Sequence, residues 1–201
     1  MKSIEKTWTC ALLLALTLSP AWSLAGDHPQ PYHQLTWKDF RINDDAPAAQ
    51  DTAACTASRL AYQYRMRWWG RRGAYIATVS QIRILSEFDP ARSWRRSYLG
   101  DDPDRILQHE QGHLDINEIY ANRLRQIPLS AWPAGRGATA QEAVNDLERK
   151  IKTYFDQTLA QEHRDQEIYD RQTDHSRRAE QQEIWTQHIQ KLLHQALTAR
   201  R

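Results

Sequence analysis

The segment Leu107–Glu118 reads LQHEQGHLDINE and carries His109, Glu110 and His113 in the order H-E-x-x-H. Residues four apart lie one above the other on an α-helix, with Cβ atoms about 5–6 Å apart. Two imidazoles so placed can close on one Zn²⁺ at about 2.0–2.1 Å from each nitrogen. Glu110 is offset about 100° around the helix from His109. It can flank the metal without binding it, where a general base for a zinc-activated water belongs.

A helix with two ligands needs a third from elsewhere, with one coordination position left for water. The metzincin continuation would place glycine at position 116 and histidine at 119. The chain has Ile116 and Ile119 instead, which excludes that class. His175 and Glu148 are the leading candidates for the third ligand. His163, His188 and His194 stand in polar helical surroundings where a solvated imidazole is the ordinary state. Glu148 falls on an apolar stripe formed by Val144, Leu147, Ile151, Tyr154, Phe155 and Leu159, an unusual place for a carboxylate.

The motif requires a helix, and its neighbours supply one. Asp102 is a good N-cap, Pro103 suits the first helical position, and Asp104 suits the positive end of the helix dipole. Ile106, His109, His113, Ile116, Tyr120 and Leu124 recur at three- and four-residue steps, so both histidines share the inward stripe. Pro128 closes the segment.

Upstream, Leu35–Phe40 (LTWKDF) predicts the first ordered element and Asn43–Gln50 a loop. From Leu60 the period becomes two, with Leu60, Tyr62, Tyr64, Met66 and Trp68 alternating with Ala61, Gln63, Arg65 and Arg67. Gly70–Gly73 predicts a turn and Ala74–Leu85 a return strand, giving a β-hairpin whose edge could take an extended peptide. Downstream of Pro133 the chain predicts a helix from about Thr139, a very polar stretch Gln161–Arg178, and a last amphipathic helix through Ile184–Leu197. The expected fold is α+β: a small N-terminal antiparallel β-sheet, then the motif helix, then C-terminal helices.

Residues 1–25 have the form of a secretory signal. Lys2 and Lys6 precede an apolar run from Cys10 to Leu18, and Ser23-Leu24-Ala25 offers small residues for cleavage. The run is too short to span a bilayer comfortably. Export to the periplasm or beyond is therefore expected, with residues 26–201 as one domain. Removing the leader leaves Cys55 as the lone cysteine, with no internal disulfide and a buried thiol as the plainest reading. The net charge of +2 over 201 residues gives no reason to expect nucleic acid.

HEQGHLDINE, together with YDRQTDHS and Trp185 downstream and LTWKDF and FDPARSW upstream, resembles a family of bacterial domains of unknown function regarded as secreted zinc-dependent proteases. The chain departs from that family's usual pattern at Gln172, where glutamate is common, and at Ser176, where glycine is. The resemblance implies a zincin-like fold, one Zn²⁺, and His175 rather than Glu148 as third ligand. Asp170 or Asp174, close to His175 in the chain, could orient its ring. The resemblance also implies peptide-bond hydrolysis with Glu110 as general base but does not itself supply a substrate; a peptide or protein is what that reaction would act on. Tyr169 and Tyr120 are candidate oxyanion donors. Two other readings compete: zinc that ties the helices together in a silent envelope protein acting as an interaction module, and a metal-free envelope protein that recognises a partner.

Overall fold

The structure, a computed structural model, describes residues 28–46 and 52–198. The expected leader, residues 1–25, lies outside the described residues. Seven strands and three helices are present among those described: β1 (Gln30–Pro31), β2 (Arg41–Ile42), β3 (Ala54–Cys55), β4 (Ser58–Arg71), β5 (Ala74–Phe88), β6 (Trp94–Arg95), α1 (Pro103–Arg125), β7 (Ala134–Gly137), α2 (Ala140–Thr173) and α3 (Ala179–Thr198). The class is α+β, as the alternation of periods two and 3.6 predicts. None of the helices described is long and apolar enough to cross a membrane.

Contacts divide the chain into two compact units. One comprises Tyr62–Ile84 and Leu124–Ala160. It holds the distal part of the β4–β5 hairpin, closed by a two-residue turn in which Arg72 (φ 50°) and Gly73 (φ 80°) are both left-handed. Two positive φ angles match the right-handed twist of the flanking strands, which is why so short a loop suffices. β7 pairs antiparallel with the start of β5, Ile76 opposite Arg136 and Thr78 opposite Ala134. Thr139 caps α2, its hydroxyl accepting from the Glu142 amide at 3.2 Å. The predicted apolar stripe of α2 is buried at Leu147, Ile151 and Phe155, and Tyr62 packs on Phe155 with centroids 3.9 Å apart.

The other unit comprises the described parts of Ala21–Ala61, Leu85–Arg123 and Gln161–Arg201. β1 pairs antiparallel with the end of β5, Gln30 opposite Phe88. A second small sheet has the order β2-β6-β3, with β2 parallel to β6 and β3 antiparallel. The antiparallel sheet expected is the one that contains β1, β5 and β7; this second sheet, with its parallel pair, is additional, because two-residue strands can be recruited by backbone pairing without any periodic side-chain pattern. Leu35, Phe40, Phe88 and Leu114 form the core, with Trp37 and Leu107 against it. The LTWKDF segment enters that core through a single 3₁₀ turn, Trp37–Asp39, fixed by the Thr36 amide donating to Asp39 Oδ2 at 2.7 Å.

α1 begins where Asp102 and Pro103 predict, and the Asp102 carboxylate accepts from the Arg105 amide at 3.1 Å. From His109 to Asn122 it is buried on nearly every side, and its buried residues include Glu110, Gln111, Asn117 and Asn122 besides Leu114 and Ile119. A polar helix in that position needs partners for its side chains. Much of that polarity belongs to the site.

Candidate metal centre

One helical turn separates His109 from His113, and their Nε2 atoms stand 3.2 Å apart with the rings nearly perpendicular. The last turn of α2 brings Asp170 against them. Its Oδ1 lies 2.9 Å from His113 Nε2 and 3.2 Å from His109 Nε2. His175, just beyond α2, places Nδ1 at 3.6 Å from the same oxygen. His109, Asp170 and His175 each offer one ligand atom within 4.8 Å of the others, so the cluster can hold a metal ion.

The hydrogen bonds around the cluster fix which ring nitrogens carry protons. The Gln166 amide nitrogen donates to the His113 carbonyl (2.9 Å) and to the Glu162 carboxylate (2.7 Å), which turns Oε1 toward His113 Nδ1 at 2.5 Å. The Tyr169 hydroxyl donates to the His109 carbonyl (3.1 Å) and accepts from Gln182 Nε2 (2.7 Å). Gln182 Oε1 is left to accept from His109 Nδ1 at 3.0 Å. Both neutral imidazoles therefore carry hydrogen on Nδ1 and aim an Nε2 lone pair inward. Orientation of this kind, by acceptors behind the ring, is the usual support of ligating histidines.

Two lone pairs and a carboxylate oxygen facing one another at 2.9–3.2 Å repel unless something positive stands among them. Asp170 Oδ1 is buried and has no other hydrogen-bond donor. Four atoms bound at about 2.0–2.1 Å around one tetrahedral ion are spaced about 3.3 Å from each other. The observed separations fit that geometry. Without an ion the proton must do the work. Burial opposes charge on His113, but the hydrogen bond and negative charge of Asp170, aided by Glu110, push its pKa up to about 9. Asp170 is correspondingly held far below the usual carboxylate range, burial notwithstanding, by the two imidazoles.

His175 arrives by an unusual route. α2 ends in a Schellman-type turn, the His175 amide donating to the Asp170 carbonyl at 3.3 Å. Such a turn needs one left-handed residue, normally glycine. Here Asp174 (φ 52°), His175 (φ 50°) and Ser176 (φ 72°) are all left-handed. Three consecutive side-chain-bearing residues there cost roughly 1–2 kcal/mol each, a strain that persists only where surrounding structure holds it. The turn puts His175 beside the cluster, with its ring 6.1 Å from that of His109.

Glu110 is 3% exposed, and its Oε2 is buried without a hydrogen-bond partner. No family model, curated protein or solved structure matches the chain.

Several expectations change here. Asp170 does not stand behind His175 but points into the cluster, while Asp174 pairs with Arg177 at 3.0 Å on the surface. Glu148 sits in the other unit, where its charge acts on Tyr62. Tyr169 is fully buried and its hydroxyl is committed at both lone pair and proton, and the Tyr120 hydroxyl donates to Asp165 at 2.7 Å. Neither is a free oxyanion donor. Cys55 is exposed rather than buried. Its sulfur is still enclosed enough that desolvation, with the charges of Glu110 and Asp170, pushes the thiol up to about 11.

Gln166, Thr173 and Gln182 are site residues that the motif alone does not reveal. A signal for the first two exists in the polar stretch: Glu162, Gln166, Tyr169 and Thr173 recur at helical steps and are all turned inward. A periodic polar face is as informative as an apolar one.

Proposed function

We propose that this chain is an exported zinc-dependent peptidase of zincin-like arrangement, with Glu110 as general base. The single observation that carries the reading is the Glu110 carboxylate, buried and without a donor on Oε2, one residue from His109. An unpaired buried carboxylate costs several kcal/mol, and a metal that only tied helices together would have no use for it. Zinc, when bound, supplies Lewis acidity that acidifies a water and polarises a scissile carbonyl.

The chain's own residues supply the rest. His109 and His113 present Nε2, held by Gln182 and Gln166. Glu110 takes the proton of the attacking water and returns it to the leaving amine. Export rests on the leader read in residues 1–25, and N-terminal sequencing of the envelope fraction would test it.

One observation favours a second reading, a purely structural zinc. Three imidazole nitrogens lie within 3.6 Å of Asp170 Oδ1, so four protein donors are at hand, and coordination by protein alone is the mark of structural sites. Cleavage of a denatured protein by the purified full chain, with and without a chelator, separates the two. Chelator-sensitive cleavage that falls by about two to four decades in Glu110→Gln, with zinc retained, is expected. Zinc bound with no cleavage, or equal cleavage by Glu110→Gln, would leave the structural reading standing.

A further inference from the structure

Resting on the zinc reading above, we propose that Asp170 is the third permanent ligand and His175 a displaceable fourth. His175 would close the site at rest and leave it when substrate takes its coordination position.

The two groups differ in how they are held. Asp170 lies in the last turn of a 34-residue helix. The residues beside it are locked: Tyr169 onto the His109 carbonyl, and Thr173 onto the Tyr169 carbonyl at 2.7 Å. Its Oδ1 makes, with the Nε2 atoms of His109 and His113, a triangle of 2.9, 3.2 and 3.2 Å sides. His175 stands off at 3.6 Å from Asp170.

The rings also differ in support. His109 and His113 each donate Nδ1–H to a glutamine carbonyl. His175 would ligate through Nδ1 itself, and its other nitrogen has no protein hydrogen bond among the described residues. An imidazole ligand without such a partner is weaker than one that has it.

Finally, the backbone carrying His175 is strained, with Asp174, His175 and Ser176 all in the left-handed region. Releasing the ring lets the turn relax, so part of the cost of dissociation is offset. Asp170, on regular helix, gains nothing by leaving. This division reconciles four donors with hydrolysis, because three permanent ligands and one open position are what catalytic zinc needs.

The test is zinc affinity of the full chain by chelator competition, joined to the visible spectrum of the cobalt-loaded protein. Asp170→Ala should weaken zinc by more than about 100-fold, beyond the span of a merely orienting residue. His175→Ala should weaken it by about tenfold or less. Asp170→Asn, which keeps the shape, and His175→Gln repeat the comparison should either alanine variant fail to fold. With cobalt, wild type and His175→Ala should differ at rest and coincide once acetohydroxamate fills the open position. Equal losses of zinc at the two residues, or cobalt spectra that stay distinct with acetohydroxamate bound, would overturn the proposal. Peptide cleavage is not among these readouts. A chain that binds zinc in this pattern yet cuts nothing would end the hydrolytic reading and leave the ligand assignment intact.

Discussion

The hydroxyl of Tyr169 occupies the space that a side chain on Gly112 would need. That contact explains the glycine inside H-E-x-x-H. Tyr169 stacks on the His109 ring at 4.6 Å between centroids and reaches over position 112 to donate to the His109 carbonyl. Alanine in a helix interior ordinarily gains about 1 kcal/mol over glycine. Here the overpacking term, about 1–3 kcal/mol, opposes and exceeds it. Gly112→Ala should therefore lower stability, as read by urea unfolding, and should weaken zinc binding because Tyr169 must shift. A variant more stable than the parent would show that the close approach is not rigid.

The two glutamines should act on metal affinity more than on folding. Gln182 and Gln166 choose the ring nitrogen that points inward at His109 and His113. Removing either acceptor, as in Gln182→Leu or Gln166→Leu, should weaken zinc about 10–100-fold. Isothermal titration against the same protein's unfolding curve checks it. Affinity unchanged while stability falls would make them packing residues only.

In the metal-stripped protein, the His113 proton gives a pH signature. Its folded pKa of about 9 lies above the ordinary 6.5. The folded state thus binds the extra proton, and the associated stability is fully present below pH 6.5 and lost as pH rises through 9. The slope is at most about 1.4 kcal/mol per pH unit in that window. Zinc must displace this proton, so affinity should climb toward pH 9 with proton release, and the zinc-loaded protein should lose the slope. Melting temperatures from pH 6 to 9.5, with and without zinc, test both halves. A flat profile in the stripped protein would mean that Asp170 does not hold a proton on His113.

What the sequence made legible was local. Asp102 and Pro103 mark the start of α1 because capping chemistry acts within one turn. The period-two run gives β4 and β5, though the strands run on to Arg71 and Phe88. β7 escaped because Ala134-Gly135-Arg136-Gly137 has neither β-branched nor aromatic residues to announce a strand. The polar stretch Gln161–Arg178 hid the largest part of the site. α2 continues unbroken to Thr173, since its inward face there is made of Glu162, Gln166 and Tyr169 bonded to α1 and to each other rather than of aliphatic side chains. Asp170 lies on that same helix far along the chain from His113, and no spacing rule ties the two. Only the fold brings Oδ1 to 2.9 Å from the imidazole.

The most direct measurement is a zinc titration of the metal-stripped full chain at neutral pH, with His109→Ala and His113→Ala in parallel and circular dichroism as the folding control. The expected result is one zinc per chain with a Kd of about 50 nM or tighter, and loss of that binding in both variants while helical content is kept. Folded wild type that takes up no zinc, or folded variants that bind it as tightly as the parent, would contradict a metal centre at His109, His113 and Asp170.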